Sequence, residues 1–132
     1  MIHHRAILSL LATSSSFNST RSFSSNLISK RMIVEYLRYT VPAEQRDAFV
    51  KDYTKASAAL MKSPYAKAFE MSECEEDATK FMLRIEWTSG DDHMKKFRTS
   101  DEFKEFFADI KPYLDNIDEM RHYKPLLMER SD

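Results

Sequence analysis

Between Met32 and Pro125 the apolar residues alternate between a strand-like period of two and a helix-like period near 3.6, and the order of those switches leaves few folds open. Met32–Thr40 is rich in β-branched and aromatic residues, mostly apolar on both faces, and reads as a first strand. Pro42 then has a preset φ and no N–H to lose, and Glu44 complements the dipole of a helix opening there. Phe49, Tyr53, Ala56 and Leu60 share one face of that helix, which spans about residues 43–62 and stops at Ser63-Pro64. Tyr65–Cys74 reads as strand two, Glu75–Ala78 as a polar turn, and Thr79–Trp87 as strand three, with Phe81, Leu83, Ile85 and Trp87 on one face. Asp92–Arg98 is a short helix. Thr99 or Ser100 caps the next, and Thr99 and Glu102 have capping-box spacing. Phe103, Phe106, Phe107 and Ile110 form its apolar stripe, and Ile117–Pro125 is strand four, carrying Met120, His122 and Tyr123.

This βαββαβ order, contained in residues 32–126, predicts an α+β, ferredoxin-like domain: an antiparallel sheet with both helices on one face. The other face needs a cover. With Val34 or Ile33, Leu37 and Met82 assigned to it, a monomer would expose a broad apolar surface, so the reading predicts a homodimer with sheets packed face to face, a dimeric α/β barrel.

Composition removes several classes of chemistry. A single Gly cannot build the glycine-rich turns that cradle phosphate, and a single Cys excludes an internal disulfide framework and thiolate zinc sites. The run Ala6–Ala12, broken by Ser9, is far short of the ~20 residues that span a bilayer, so no membrane span is expected. Residues 1–31 contain Arg5, Arg21, Lys30 and Arg31, nine Ser, two Thr and no acid, so all 21 acidic residues face the other 16 of 20 Lys and Arg. No basic patch for nucleic acid is visible in that acidic remainder. The acid-free, Ser-rich segment matches an import presequence able to place Ile7, Leu8 and Leu11 on one helical face, with Arg21-Ser22-Phe23-Ser24 resembling a mitochondrial processing site. The expected location is the mitochondrial matrix, with plastid, cytoplasmic and secretory readings as alternatives. Residues 127–132 are read as a tail.

Met32-Ile33-Val34-Glu35-Tyr36, the strand end Arg84-Ile85-Glu86-Trp87, His93, Phe97-Arg98-x-Ser100-x-x-Phe103 and Met120-Arg121-His122-Tyr123 occur in order on the expected elements. Together they resemble the antibiotic biosynthesis monooxygenase family. That resemblance implies a dimeric α/β barrel and, among the family's activities, cofactor-free oxygenation of quinols or polyketides, haem degradation, or no assigned reaction. Haem-degrading members carry a ligand His on helix two and an Asn on strand one, whereas this chain has neither there, so no haem is expected.

Cofactor-free oxygenation of a phenol or quinol by O2 needs a base, an apolar pocket and a donor for the reduced oxygen. His93, six residues after Trp87, is the expected base, with Tyr123 and Arg38 as donor and oxyanion partner. Tyr36, Trp87, Phe97, Phe103, Phe107 and His122 are the expected substrate wall. Neither a metal nor another cofactor is expected, and the same pocket could instead belong to a non-catalytic module holding an apolar metabolite or a partner protein.

Overall fold

The computed structural model describes residues 32–127. The expected import segment 1–31 and the tail beyond Leu127 lie outside the described residues. Strands β1 (Ile33–Thr40), β2 (Ala66–Glu73), β3 (Lys80–Trp87) and β4 (Ile117–Tyr123) form one sheet in the order β2-β3-β1-β4, with every neighbouring pair antiparallel. Helices α1 (Arg46–Lys62) and α2 (Asp101–Ile110) cover one face, giving the expected ferredoxin-like α+β fold. A 3₁₀ turn, Ala43–Gln45, leads into α1, another, Lys111–Asn116, leads into β4, and a π-helical turn, Asp92–Phe97, lies between β3 and α2. Among the described residues no helix is long and apolar enough to cross a membrane.

The period-two pattern sets which residues meet the helices. Leu37, Tyr39, Phe81, Leu83, Ile85 and Trp87 are all buried on the helix side, against Phe49, Ala56 and Leu60 of α1 and Phe103, Phe106 and Ile110 of α2. Within this layer the Tyr39 and Tyr53 hydroxyls lie 2.5 Å apart, and burial pushes both phenols above their usual range. Ser100 is the N-cap of α2: its Oγ accepts from the Phe103 N–H, while the Thr99 hydroxyl donates back to the Lys95 and Lys96 carbonyls. The capping box expected at Thr99 therefore does not form.

The opposite face corrects one expectation. Leu37 shares the phase of Tyr39 and packs under the helices, so it does not contribute to the uncovered side. That side presents Tyr36, Arg38, Met82, Arg84, Glu86, Glu119, Arg121 and Tyr123, with ion pairs Arg38–Glu119, Arg84–Glu86 and Arg121–Glu119. It is a charged surface with a few apolar members, and the case for a dimer built on exposed apolar area does not hold.

Candidate active site

Strand β1 carries a carboxylate in the phase of its core residues. Glu35 follows the same side as Leu37 and Tyr39 and is only 2% exposed. Its ladder partners are Ile85 on β3 and His122 on β4, so the imidazole of His122 arrives from the adjacent strand on the same face. The Trp87 indole N–H donates to Glu35 Oε1 at 3.0 Å. From above, the π turn delivers His93, whose ring stacks on Trp87 at 4.3 Å between centroids and whose Nε2 lies 3.6 Å from Glu35 Oε1. Such π turns recur at functional sites, and this one points His93, Met94 and Phe97 inward together. His122 Nε2 completes the cluster, 3.0 Å from His93 Nδ1 and 3.5 Å from Glu35 Oε2. Glu35 and His93 are sealed from water, whereas the His122 side chain is 31% exposed, so the three groups run from the interior to the surface.

Burial shifts the two inner groups in opposite directions. It raises Glu35 above the ordinary carboxylate range, opposed by the charge of His122, the Trp87 hydrogen bond and the charge of Arg98. It lowers His93 well below the ordinary imidazole range, reinforced by His122 and Arg98. Both shifts favour the uncharged forms, a neutral carboxyl beside a neutral imidazole, and a positive charge on His122 works against this at Glu35.

The structure divides the expected site residues into two groups. His93, Trp87, Phe97, Phe103 and Phe107 border one cavity on the helix side, and His122 joins them through His93. That cavity measures about 20 Å³, room for one molecule the size of water or O2 and far too little for an aromatic ring. Trp87, Phe97 and Phe103 are packed core walls here, with Phe107 partly buried against them. Tyr36, Tyr123 and Arg38 lie across the sheet, in an open groove of about 420 Å³ shared with Met82, Glu119 and Arg121. Tyr36 and Tyr123 meet edge to face at 5.3 Å, and Arg38 is paired with Glu119 at 3.1 Å. The cause is strand parity: Tyr36 and Arg38 of β1, and Tyr123 of β4 opposite Val34, alternate with Glu35, Leu37 and His122 and so point away from the face that holds His93.

Two members of the site were not among the expected ones. Glu35 left a signal, because an acidic residue in step with Leu37 and Tyr39 is a charge in core phase. Arg98 left none beyond its place after Phe97. Its side chain is buried at 9% exposure, and among the described residues its Nε and Nη2 have no hydrogen-bond partner.

A family model described as antibiotic biosynthesis monooxygenase matches residues 32–109. The chain belongs to this family. The matched span of the antibiotic biosynthesis monooxygenase model includes Glu35, Trp87, His93 and Arg98 and stops before β4, which supplies His122. No curated protein matches the chain. Among solved structures, a Bordetella bronchiseptica protein bearing the family name is 22% identical, with 74% of this chain and 99% of that chain covered and a TM-score of 0.59. A conserved protein of Methanosarcina mazei is 20% identical over 75% of this chain and 97% of that one, with a TM-score of 0.58. A variant of SnoaB, a cofactor-independent oxygenase of Streptomyces nogalater, is 11% identical over 74% and 95%, with a TM-score of 0.62. At these identities the likeness establishes a shared fold.

Proposed function

We propose that this member of the antibiotic biosynthesis monooxygenase family oxygenates a small aromatic substrate, quinol- or phenol-like, with O2 and without a cofactor, using Glu35, His93 and His122 to carry the proton away. The observation behind this reading is the line of titratable groups from a partly exposed imidazole to a buried carboxylate. His122 meets the substrate from solvent and accepts the hydroxyl proton, its new charge stabilised by Glu35 at 3.5 Å. The 3.0 Å contact with His93 Nδ1 lets that proton pass inward or be shared. The ionised ring then gives an electron to O2, recombination forms a peroxide anion, and the proton held by His122 and His93 returns to it to give a hydroperoxide. Loss of water from it leaves one oxygen atom in the product and the other in water, the substrate itself supplying the electrons. The cavity of about 20 Å³ beside Glu35 and His93 has mostly apolar walls and the size for O2. Oxygen uptake by the purified protein across a panel of quinols and phenols tests the reading. One O2 consumed per substrate oxidised is expected, and no uptake with any of them contradicts it.

One observation favours a second reading, a binding module for an apolar metabolite or partner protein: the helix-side cavity is nearly filled by the protein's own aromatic rings. In that case the panel gives no oxygen uptake while apolar ligands still bind.

We also infer a homodimer through the open sheet face, now on electrostatic grounds. Arg38, Arg84 and Arg121 there alternate with Glu70, Glu86 and Glu119, a pattern that complements itself across a two-fold axis around Tyr36, Met82 and Tyr123. Met82→Arg adds a third guanidinium beside Arg38 and Arg84 and is expected to give a folded monomer by light scattering. An unaltered dimer, or a monomeric wild type, contradicts this interface.

A further inference from the structure

Glu35, His93 and His122 come from β1, the π turn and β4, yet each directs a ligand-type atom into one small volume, all within 4.8 Å of one another. We propose that these three side chains form a binding site for a divalent first-row transition metal ion. Two imidazoles and one carboxylate are the donor set that holds zinc or iron(II) while leaving coordination positions open. A metal with ~2.1 Å bonds sets its ligand atoms roughly 3.0–3.4 Å apart. His122 Nε2 stands 3.0 Å from His93 Nδ1 and 3.5 Å from Glu35 Oε2, so two of the three edges are close to those lengths, and the third, within 4.8 Å, closes by rotation of the Glu35 or His93 side chain. Trp87 donates to Glu35 Oε1 and so orients the carboxylate with Oε2 toward His122, the outer support that metal ligands commonly have.

Arg98 gives an independent pointer to a ligand. Five residues after His93 in the chain, it is nine-tenths buried, donates from Nη1 to Met94 Sδ at 3.6 Å, and keeps Nε and Nη2 without partners among the described residues. A buried guanidinium with two idle donors costs stability unless an acceptor arrives. With a dication in place, one carboxylate leaves the site positively charged, so the additional ligand it favours is an anion, a carboxylate or a phenolate.

A cation and a mobile proton compete for the same atoms. The metal-free protein is therefore the form in which the proton relay works, and the loaded protein trades that base for a Lewis acid. Titration of chelator-treated full-length protein with Co²⁺, read by calorimetry and by the visible absorption of protein-bound cobalt, tests the site with no reference to turnover. One equivalent bound at micromolar affinity or tighter is expected, weakened at least ~100-fold in both His122→Ala and Glu35→Gln. His122→Ala serves as the folding-safe variant because that side chain is partly exposed. Absence of wild-type binding, or binding unchanged in both variants, overturns the metal site and leaves the relay untouched. Oxygen uptake that appears only after metal is restored upholds the metal site and overturns the cofactor-free relay instead.

Discussion

His122→Ala is expected to lower kcat/KM on an accepted quinol by about 10²- to 10⁴-fold, the range lost when a positioned general base is removed. The magnitude follows from its place at the outer end of the cluster. Glu35 and His93 are sealed behind it, and among the three only His122 offers its ring to a substrate arriving from solvent. The loss should fall on kcat and kcat/KM alike, because the interaction removed strengthens only as the proton departs. Folding should be little changed, since the ring is 31% exposed and its side-chain contacts are with the two other members of the cluster. A variant that keeps wild-type turnover would transfer the proton acceptor to another group.

The largest stability effect belongs to Phe49→Ala, at about 3–5 kcal/mol. Phe49 is 0% exposed and sits 5.0 Å from Tyr39, 5.2 Å from Tyr53, 5.0 Å from Phe81 and 5.2 Å from Tyr113, measured between ring centroids. One side chain thus ties α1 to β1, β3 and the 3₁₀ turn before β4. Truncation leaves a void bordered by four rings on different elements, which cannot all collapse into it. Urea unfolding of wild type and variant measures the difference, and a loss below about 1 kcal/mol would contradict this placement of the core.

The fold was legible in the sequence because each element announces its inward face. Phe81, Leu83, Ile85 and Trp87 keep period two without interruption, and Phe103, Phe106 and Ile110 keep the helical stripe, so the order of elements and the helix-covered face both follow. β1 was harder to read. Its apolar residues populate both phases, so the pattern alone does not place Leu37, and the apolar area expected on the open face shrinks once Leu37 packs under the helices. The candidate site was half legible. His93, Trp87 and His122 were recognisable as residue types at suggestive positions, but their contact depends on β4 pairing with β1, a relation between residues 87 positions apart for Glu35 and His122. Chemistry alone groups Tyr36, Arg38 and Tyr123 with His93, and strand parity separates them. Glu35 could have been found from its phase. The two idle donors of Arg98, Nε and Nη2, could not, because burial that leaves them without partners among the described residues is a property of the packed structure.

The proton-accepting role of the cluster is tested most directly by the pH profile of oxygen uptake in metal-free wild type and His122→Ala, measured on one accepted quinol. In the wild type, which carries its own proton acceptor, activity should not depend on prior ionisation of the substrate. In the variant, the residual activity should start far lower and keep climbing with pH as the substrate ionises unaided, narrowing the gap toward the alkaline end. Profiles of the same shape and height in the two proteins would contradict a proton-transfer role for Glu35, His93 and His122.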